Sequence, residues 1–150
     1  MFFQQIRFLF TLILAFNFIY MKEIILIFGG VYGGLAVIFG AFGAHALKSM
    51  FNEDQLKSFE TGVKYQMYHA LLLIITGIAF PFLETSQQIM GWCLIIGVFL
   101  FSFSIYGLTL SAASGKKLRF LGPITPLGGL LLVIGWILFT INAARYAVYL

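Results

Sequence analysis

The sequence predicts an all-α integral membrane protein: a four-helix bundle with an interfacial amphipathic helix between its first and second spans, and one extra apolar helix as an option at the N-terminus. Three observations predict it. Hydrophobic residues make up 61% of the 150 positions and charged residues only 9%, against about 25% in soluble domains, and mean hydropathy is +1.02. The charges are bunched, leaving uncharged runs at Ile24–Leu47, Tyr65–Leu83, Thr85–Gly115 and Phe120–Ala144. Each is close to or above the roughly 20 apolar residues that carry a helix across about 30 Å of hydrocarbon. Finally, the runs do not alternate apolar with polar, as barrel strands would, so their backbones must close hydrogen bonds internally as helices.

This composition excludes a soluble enzyme, a disordered tail and a nucleic-acid-binding module, because nine basic and five acidic side chains cannot cover a water-soluble surface. The net charge of +4 and pI near 9.3 reflect loop lysines and arginines and not a basic face for phosphates. The partner implied is the lipid bilayer. Cys93 is the single cysteine, so an internal disulfide framework and a CxxC metal or redox site are excluded.

Residues 1–20 form an apolar N-terminal extension ahead of a membrane domain at 21–150. Phe2 to Tyr20 carries Gln4, Gln5, Arg7 and Asn17, and only Met21-Lys22-Glu23 separates it from the first firm span. An extra helix, a signal-like segment without an A-x-A cleavage site, and a chain start at Met21 are the three readings, the last favoured. The first span presents Gly29, Gly33, Ala36, Gly40 and Gly43 in steps of four and three on one stripe. Small residues so spaced let a neighbouring helix approach closely, and such packing drives association in lipid.

Asn52, followed by Glu53, Asp54 and Gln55, has the pattern of a capped helix start. Leu56, Phe59 and Val63 share one face, while Glu53–Lys57 and Glu60–Lys64 are i,i+4 pairs. Asn52 to Lys64 therefore reads as an amphipathic interfacial helix running into the second span. Pro81 ends that span, and Glu84-Thr-Ser-Gln-Gln88 is a short polar turn. Ser114-Gly115-Lys116-Lys117 separates the third span from the fourth, which opens with Thr125 as a capping candidate and Pro126 in the first turn. Gly128, Gly129 and Gly135 offer a second packing seam. Trp92, Trp136, Tyr20, Tyr65, Tyr68, Tyr146 and Tyr149 lie mostly near run ends, as interfacial aromatics do.

A candidate polar cluster collects His45, Tyr65, Gln66, His69, Ser102 and Tyr106. His45 precedes Lys48 by three residues and His69 follows Lys64 by five, offsets of about 5 and 8 Å that put both histidines at similar depth. Ionisable groups inside a membrane are functional candidates, and imidazole carries protons and binds metals. Interhelical hydrogen bonding is the competing role. No metal is assigned, because no acid or thiol accompanies the pair and a site needs three or four ligands. No cofactor is assigned either: a Walker loop, a dinucleotide fingerprint, HExxH and a nucleophile elbow are all absent, and so are the internal repeats and broken helices of transporters. The chain reads as not an enzyme.

Four blocks carry a family resemblance: Gly40-Ala-Phe-Gly-Ala-His-Ala-Leu-Lys48, Phe59-Glu-Thr-Gly-Val-Lys-Tyr-Gln-Met-Tyr-His-Ala70, Phe101-Ser-Phe-Ser-Ile-Tyr106, and Leu121-Gly-Pro-Ile-Thr-Pro-Leu-Gly-Gly129 with Gly135-Trp136. Together, from about Met21 to Asn142, they resemble the YgdD/YwdK family of small multi-pass bacterial inner-membrane proteins, which has a eukaryotic transmembrane relative. The resemblance implies location and architecture but no reaction, since the family has no established activity. It also implies a start near Met21. Phe103 stands where the family's third block usually has glycine, which weakens the case for close helix approach there.

Lys48, Lys57, Lys64, Lys116, Lys117 and Arg119 fall in the first and third loops, which places those loops in the cytoplasm under the positive-inside rule. The leading functional expectation is a non-catalytic accessory or packing subunit that associates with itself, as a homo-oligomer, or with a larger membrane complex. The alternative is a small channel or carrier for protons, metal ions or lipid using the two histidines. A haem-binding or quinone-linked subunit is the third.

Overall fold

A computed structural model describes residues 2–116 and 118–147. Lys117 and Tyr149, placed above in a loop and among the interfacial aromatics, lie outside the described residues, as do the side chains of Gln5, Arg7 and Asn17. The described residues form helices joined by short turns: α1 (Phe2–Ala44), α2 (Glu53–Ala79), α3 (Thr85–Val98), α4 (Ser104–Ala113) and α5 (Ile124–Ala147). A π turn at Phe99–Phe103 joins α3 to α4, so the two run as one rod of 29 residues, Thr85–Ala113. The result is four rods, as the uncharged runs require.

Three rods contain a stretch long and apolar enough to cross a membrane: Tyr20–Ala44, Thr85–Ala113 and Arg119–Tyr146. α2 is the polar one. It starts with charged turns and carries Tyr65, Gln66, Tyr68 and His69 before its apolar end. The amphipathic segment expected from Asn52 to Lys64 is continuous with the second span, one helix of 27 residues. Its start is fixed as the residue types require: the Asn52 side chain accepts the Gln55 N–H at 2.9 Å and the Gln55 side chain accepts the Asn52 N–H at 3.0 Å.

α1 runs unbroken through residue 21, so the N-terminal extension and the first span share one helix of 43 residues. α2 ends at Ala79, and Gly77 near that end abuts Leu26 and Ile25. The first part of α1 therefore runs on beyond the end of α2.

Packing is set by small residues. α1 lies most extensively against α2, and α3 against α5. Along the first pair, a Cβ at Gly29 would sit 2.8 Å from Ile74, at Gly33 3.8 Å from Ala70, at Gly40 3.5 Å from Val63 and at Gly43 3.3 Å from Phe59. The residue numbers fall on α2 as they rise on α1, so the helices are antiparallel, and Ala36 is buried midway along the seam. On the second pair, Gly135 sits against Leu94, Gly97 against Leu132, and Gly128 directly against the backbone of Phe101 and Leu100 in the π turn. Gly129 faces the Phe101 ring at ordinary contact distance, 3.6 Å.

Two turns rest on backbone signs. Gly115 has φ +76°, and its N–H reaches Ala112 O while Lys116 N–H reaches Ser111 O, closing α4 with a Schellman motif. Phe82, after Pro81, holds φ 58° with its ring fully buried; the left-handed backbone costs roughly 1 kcal/mol, and core burial of the ring offsets it. Thr125 lies inside α5, not ahead of it, and its hydroxyl hydrogen-bonds Ser104 on α4 at 2.7 Å. Pro126 is in the first turn of α5 as expected.

The Gly128 contact is with backbone, which cannot swing aside as a side-chain tip can. Gly128→Ala is expected to destabilise the fold by about 1–3 kcal/mol, while Gly129→Ala stays within about 0.5 kcal/mol. Unfolding both variants by SDS titration in mixed micelles reads the difference; equal stabilities would contradict the tight seam.

Candidate functional site

Gln66 stands at the centre of the buried polar groups. An amide side chain in a helix facing hydrocarbon neighbours must find partners or forfeit the free energy of its lost hydration. Gln66 is fully buried and finds partners on two other helices. Its Nε2 donates to Tyr32 O on α1 at 2.8 Å, and its Oε1 accepts the Tyr106 hydroxyl of α4 at 2.8 Å. Tyr32 in turn donates its hydroxyl to Ile95 O on α3 at 3.0 Å. One chain of bonds thus ties α1, α2 and the third rod together. The Tyr106 ring sits among Phe39, Phe59 and Phe103, with centroids 4.8 to 5.7 Å away.

His69, almost fully buried one turn further along α2, ties in the fourth rod. Its Nε2 lies 3.2 Å from the Trp136 indole nitrogen on α5, and its Nδ1 lies 2.7 Å from Tyr65 O. An indole N–H only donates and a carbonyl only accepts. Nε2 must therefore be the acceptor and Nδ1 must carry the proton, which defines a single neutral tautomer. Tyr65 stacks on the imidazole with an interplanar angle of 20° and also touches Phe101 of the π turn.

The structure brings Tyr65, Gln66, His69 and Tyr106 together. Ser102 lies one turn before Tyr106, fully buried, and its hydroxyl has no hydrogen-bond partner among the described residues. His45 does not join them. The seam sets Gly33 beside Ala70 and Gly43 beside Phe59, so the level of His69 is near Gly33, about 18 Å along α1 from His45. The expectation of equal depth fails because it took Lys48 and Lys64 as level, whereas α2 begins beside the end of α1 and Lys64 lies eleven residues inside it. His45 is exposed just past α1, over a shallow depression of about 370 Å³ formed with Ile38, Phe42 and Ala46.

Several polar participants escape a sequence reading. Tyr32 looks like one more aromatic in a span. Trp136, expected at an interface, instead lies mid-helix on His69. At the far end Asn142 donates to Leu138 O and accepts the Ser86 hydroxyl at 2.8 Å, and Gln87 is fully buried with neither amide atom paired among the described residues. At the loop end, a cleft of about 520 Å³ opens between α2 and α4, beside the start of α5. Among the described residues no three His, Cys, Asp or Glu side chains cluster to hold a metal ion.

An all-helical bundle with three membrane-length apolar rods, sealed by glycine seams and a buried amide–phenol network, is a multi-pass membrane protein. The family described as "Protein of unknown function (DUF423)" matches residues 39–129. Similar chains include the UPF0382 membrane protein YwdK of Bacillus subtilis, 38% identical over 126 residues, covering 83% of this chain and 98% of that one. A UPF0382 membrane protein of Staphylococcus haemolyticus is 37% identical over 124 residues, with the same coverage. The chain belongs to this DUF423/UPF0382 family of bacterial membrane proteins. No solved structure matches it.

Tyr106→Phe leaves the Gln66 carbonyl without its donor and is expected to cost about 1 kcal/mol. Gln66→Leu is expected to cost at least as much, and the double variant less than the sum of the two. A double-mutant cycle measured by SDS unfolding checks this; additive losses would mean that the 2.8 Å bond carries no coupling.

Proposed function

We propose that this protein is a non-catalytic accessory or packing subunit of a membrane assembly, built to hold a fixed shape and to associate with itself or a larger complex. One observation carries the reading. The buried Gln66, His69 and Tyr106 spend their hydrogen bonds on backbone carbonyls and on side chains of other helices, as bridges that set helix positions, and Gln66 bonds both α1 and α4. Glue of this kind is the ordinary role of polar side chains between membrane helices.

The outer face of α1 supports association. Gly30 and Gly34 are exposed, four residues apart, with no atom within 4 Å of where a Cβ would stand. They lie on the face away from the α2 seam, among the exposed Ile27, Val31, Val37 and Ile38. Paired small residues of this spacing permit close contact with a further helix. The carrier reading draws no support from its two histidines, which stand about two-thirds of a span apart along the helix axis, and His69 has both ring nitrogens occupied.

In mild detergent the protein is expected to run in native mass spectrometry as an oligomer or with a co-purifying membrane protein. Gly34→Leu should reduce that species while leaving the monomer folded, because the position faces open space. A wild-type monomer with no companion would overturn the proposal.

A further inference from the structure

His69 is joined to α5 by a bond that exists in one protonation state only. The Trp136 indole N–H donates to Nε2 at 3.2 Å, and Nδ1–H donates to Tyr65 O at 2.7 Å. An imidazolium carries hydrogen on both nitrogens and accepts nothing, and an indole nitrogen only donates. A proton added at Nε2 therefore takes the lone pair that holds Trp136 and sets two N–H groups against each other.

The bond sits where its loss is felt. α2 lies chiefly along α1, and α5 along α3 and the π turn, so the bundle consists of two helix pairs. Among the described residues, His69–Trp136 is the one hydrogen bond that runs from α2 to α5. Just past the end of α2, Phe80 meets Phe139 and Tyr146 of α5 through ring contacts.

No carboxylate is at hand to hold an imidazolium. On α1 no charged residue falls between Glu23 and Lys48, on the third rod none between Glu84 and Lys116, and on α5 none between Arg119 and Arg145. On α2, Lys64 lies five residues before His69 and is paired with Glu60. The other titratable groups of these segments are phenols and one thiol: Tyr32 on α1, Tyr65 and Tyr68 on α2, Cys93 and Tyr106 on the third rod. Tyr32 and Tyr106 donate their hydroxyl protons to Ile95 O and Gln66. What surrounds the imidazole is ring surface. Tyr65 stacks on it with centroids 6.0 Å apart, and Trp136 lies at 6.3 Å, nearly perpendicular at 77°. Aromatic faces attract a cation at about 6 Å, indole most strongly. Trp136 is half-exposed, so its ring has room to turn from N–H donor to π face.

We propose that His69 and Trp136 form a proton-operated latch between α2 and α5. Neutral His69 closes it through the indole hydrogen bond. A proton taken from water at Nε2 opens it: the indole N–H is released, and the imidazolium settles between the faces of Tyr65 and Trp136. The inference concerns how the two helix pairs are held together, and it stands whether or not the protein serves as an accessory subunit.

The test uses the full chain in detergent micelles. Trp92, an exposed residue of α3, is replaced by Phe, which leaves Trp136 as the source of the one indole N–H signal in NMR. Between about pH 8 and about pH 4.5, a range that brackets histidine titration, that signal is expected to move upfield as its hydrogen bond is lost. His45→Gln should leave the titration intact. His69→Gln, which offers a carbonyl acceptor that does not titrate, should abolish it. Unfolding in SDS supplies a second reading: loss of the bond is expected to speed unfolding about fivefold at the lower pH. Trp136→Phe has no N–H to lose, so it should lack that step, and it decides the matter if His69→Gln fails to fold. An indole signal indifferent to pH, a titration that survives in His69→Gln or vanishes in His45→Gln, or the full step retained in Trp136→Phe would overturn the proposal.

Discussion

Hydrocarbon gives a peptide group nothing to bond and gives an apolar side chain no reason to hide. The first fact makes the chain helical; the second removes the force that gathers helices in water. What remains is contact at short range. The seam of Gly29, Gly33, Ala36, Gly40 and Gly43 lets α1 lie along α2, and Gly128 lets α5 reach the backbone of the π turn. Dispersion falls steeply with distance, so every methyl omitted from these lines is recovered as contact along whole helices. The exposed isoleucines, leucines and phenylalanines of the outer surface are the counterpart, with lipid as their solvent.

Upon that packing the polar groups settle which arrangement is adopted. Van der Waals seams tolerate sliding; a glutamine amide 2.8 Å from both a carbonyl and a phenol does not. Gln66 and His69 share a short stretch of α2 and between them reach α1, α4 and α5, so the least apolar helix fixes the register of the others. The same economy explains why the cluster offers so little chemistry. Donors and acceptors in hydrocarbon are scarce, and those used to position helices are not free for a substrate. Among the described residues Ser102 and Gln87 are buried without partners, and each costs about 1–3 kcal/mol in lost hydration.

The loop end is different in kind. There α2 is charged, α4 ends on a glycine turn, and the groups around the cleft keep both spare lone pairs and the spare amide N–H groups of Asn52 and Gln55. The interior is occupied by its own bonds, whereas Asp54, Ser58 and Thr61 at this rim are exposed.

Much of this was legible in the residues. Uncharged runs specify helices because backbone bonding in oil has few solutions; Asn52 through Gln55 specify a capped start because the cap is local; glycines three and four apart specify a packing face because helical geometry is regular. Gln66, His69 and Tyr106 could be singled out as polar residues in apolar runs. Their partners could not. Tyr32 and Trp136 resemble other membrane aromatics until the fold sets them against a carbonyl or an imidazole, and the two histidines look level until the seam shows how far α2 overlaps α1. The cleft was invisible for the same reason: Asp54 and Thr109 are 55 positions apart, and only the crossing of α2 and α4 makes them neighbours. Sequence alone determined the elements, their faces and their solvent, because those follow from interactions within a few residues. Tertiary structure decided the offsets between helices, and with them every contact that joins distant parts of the chain.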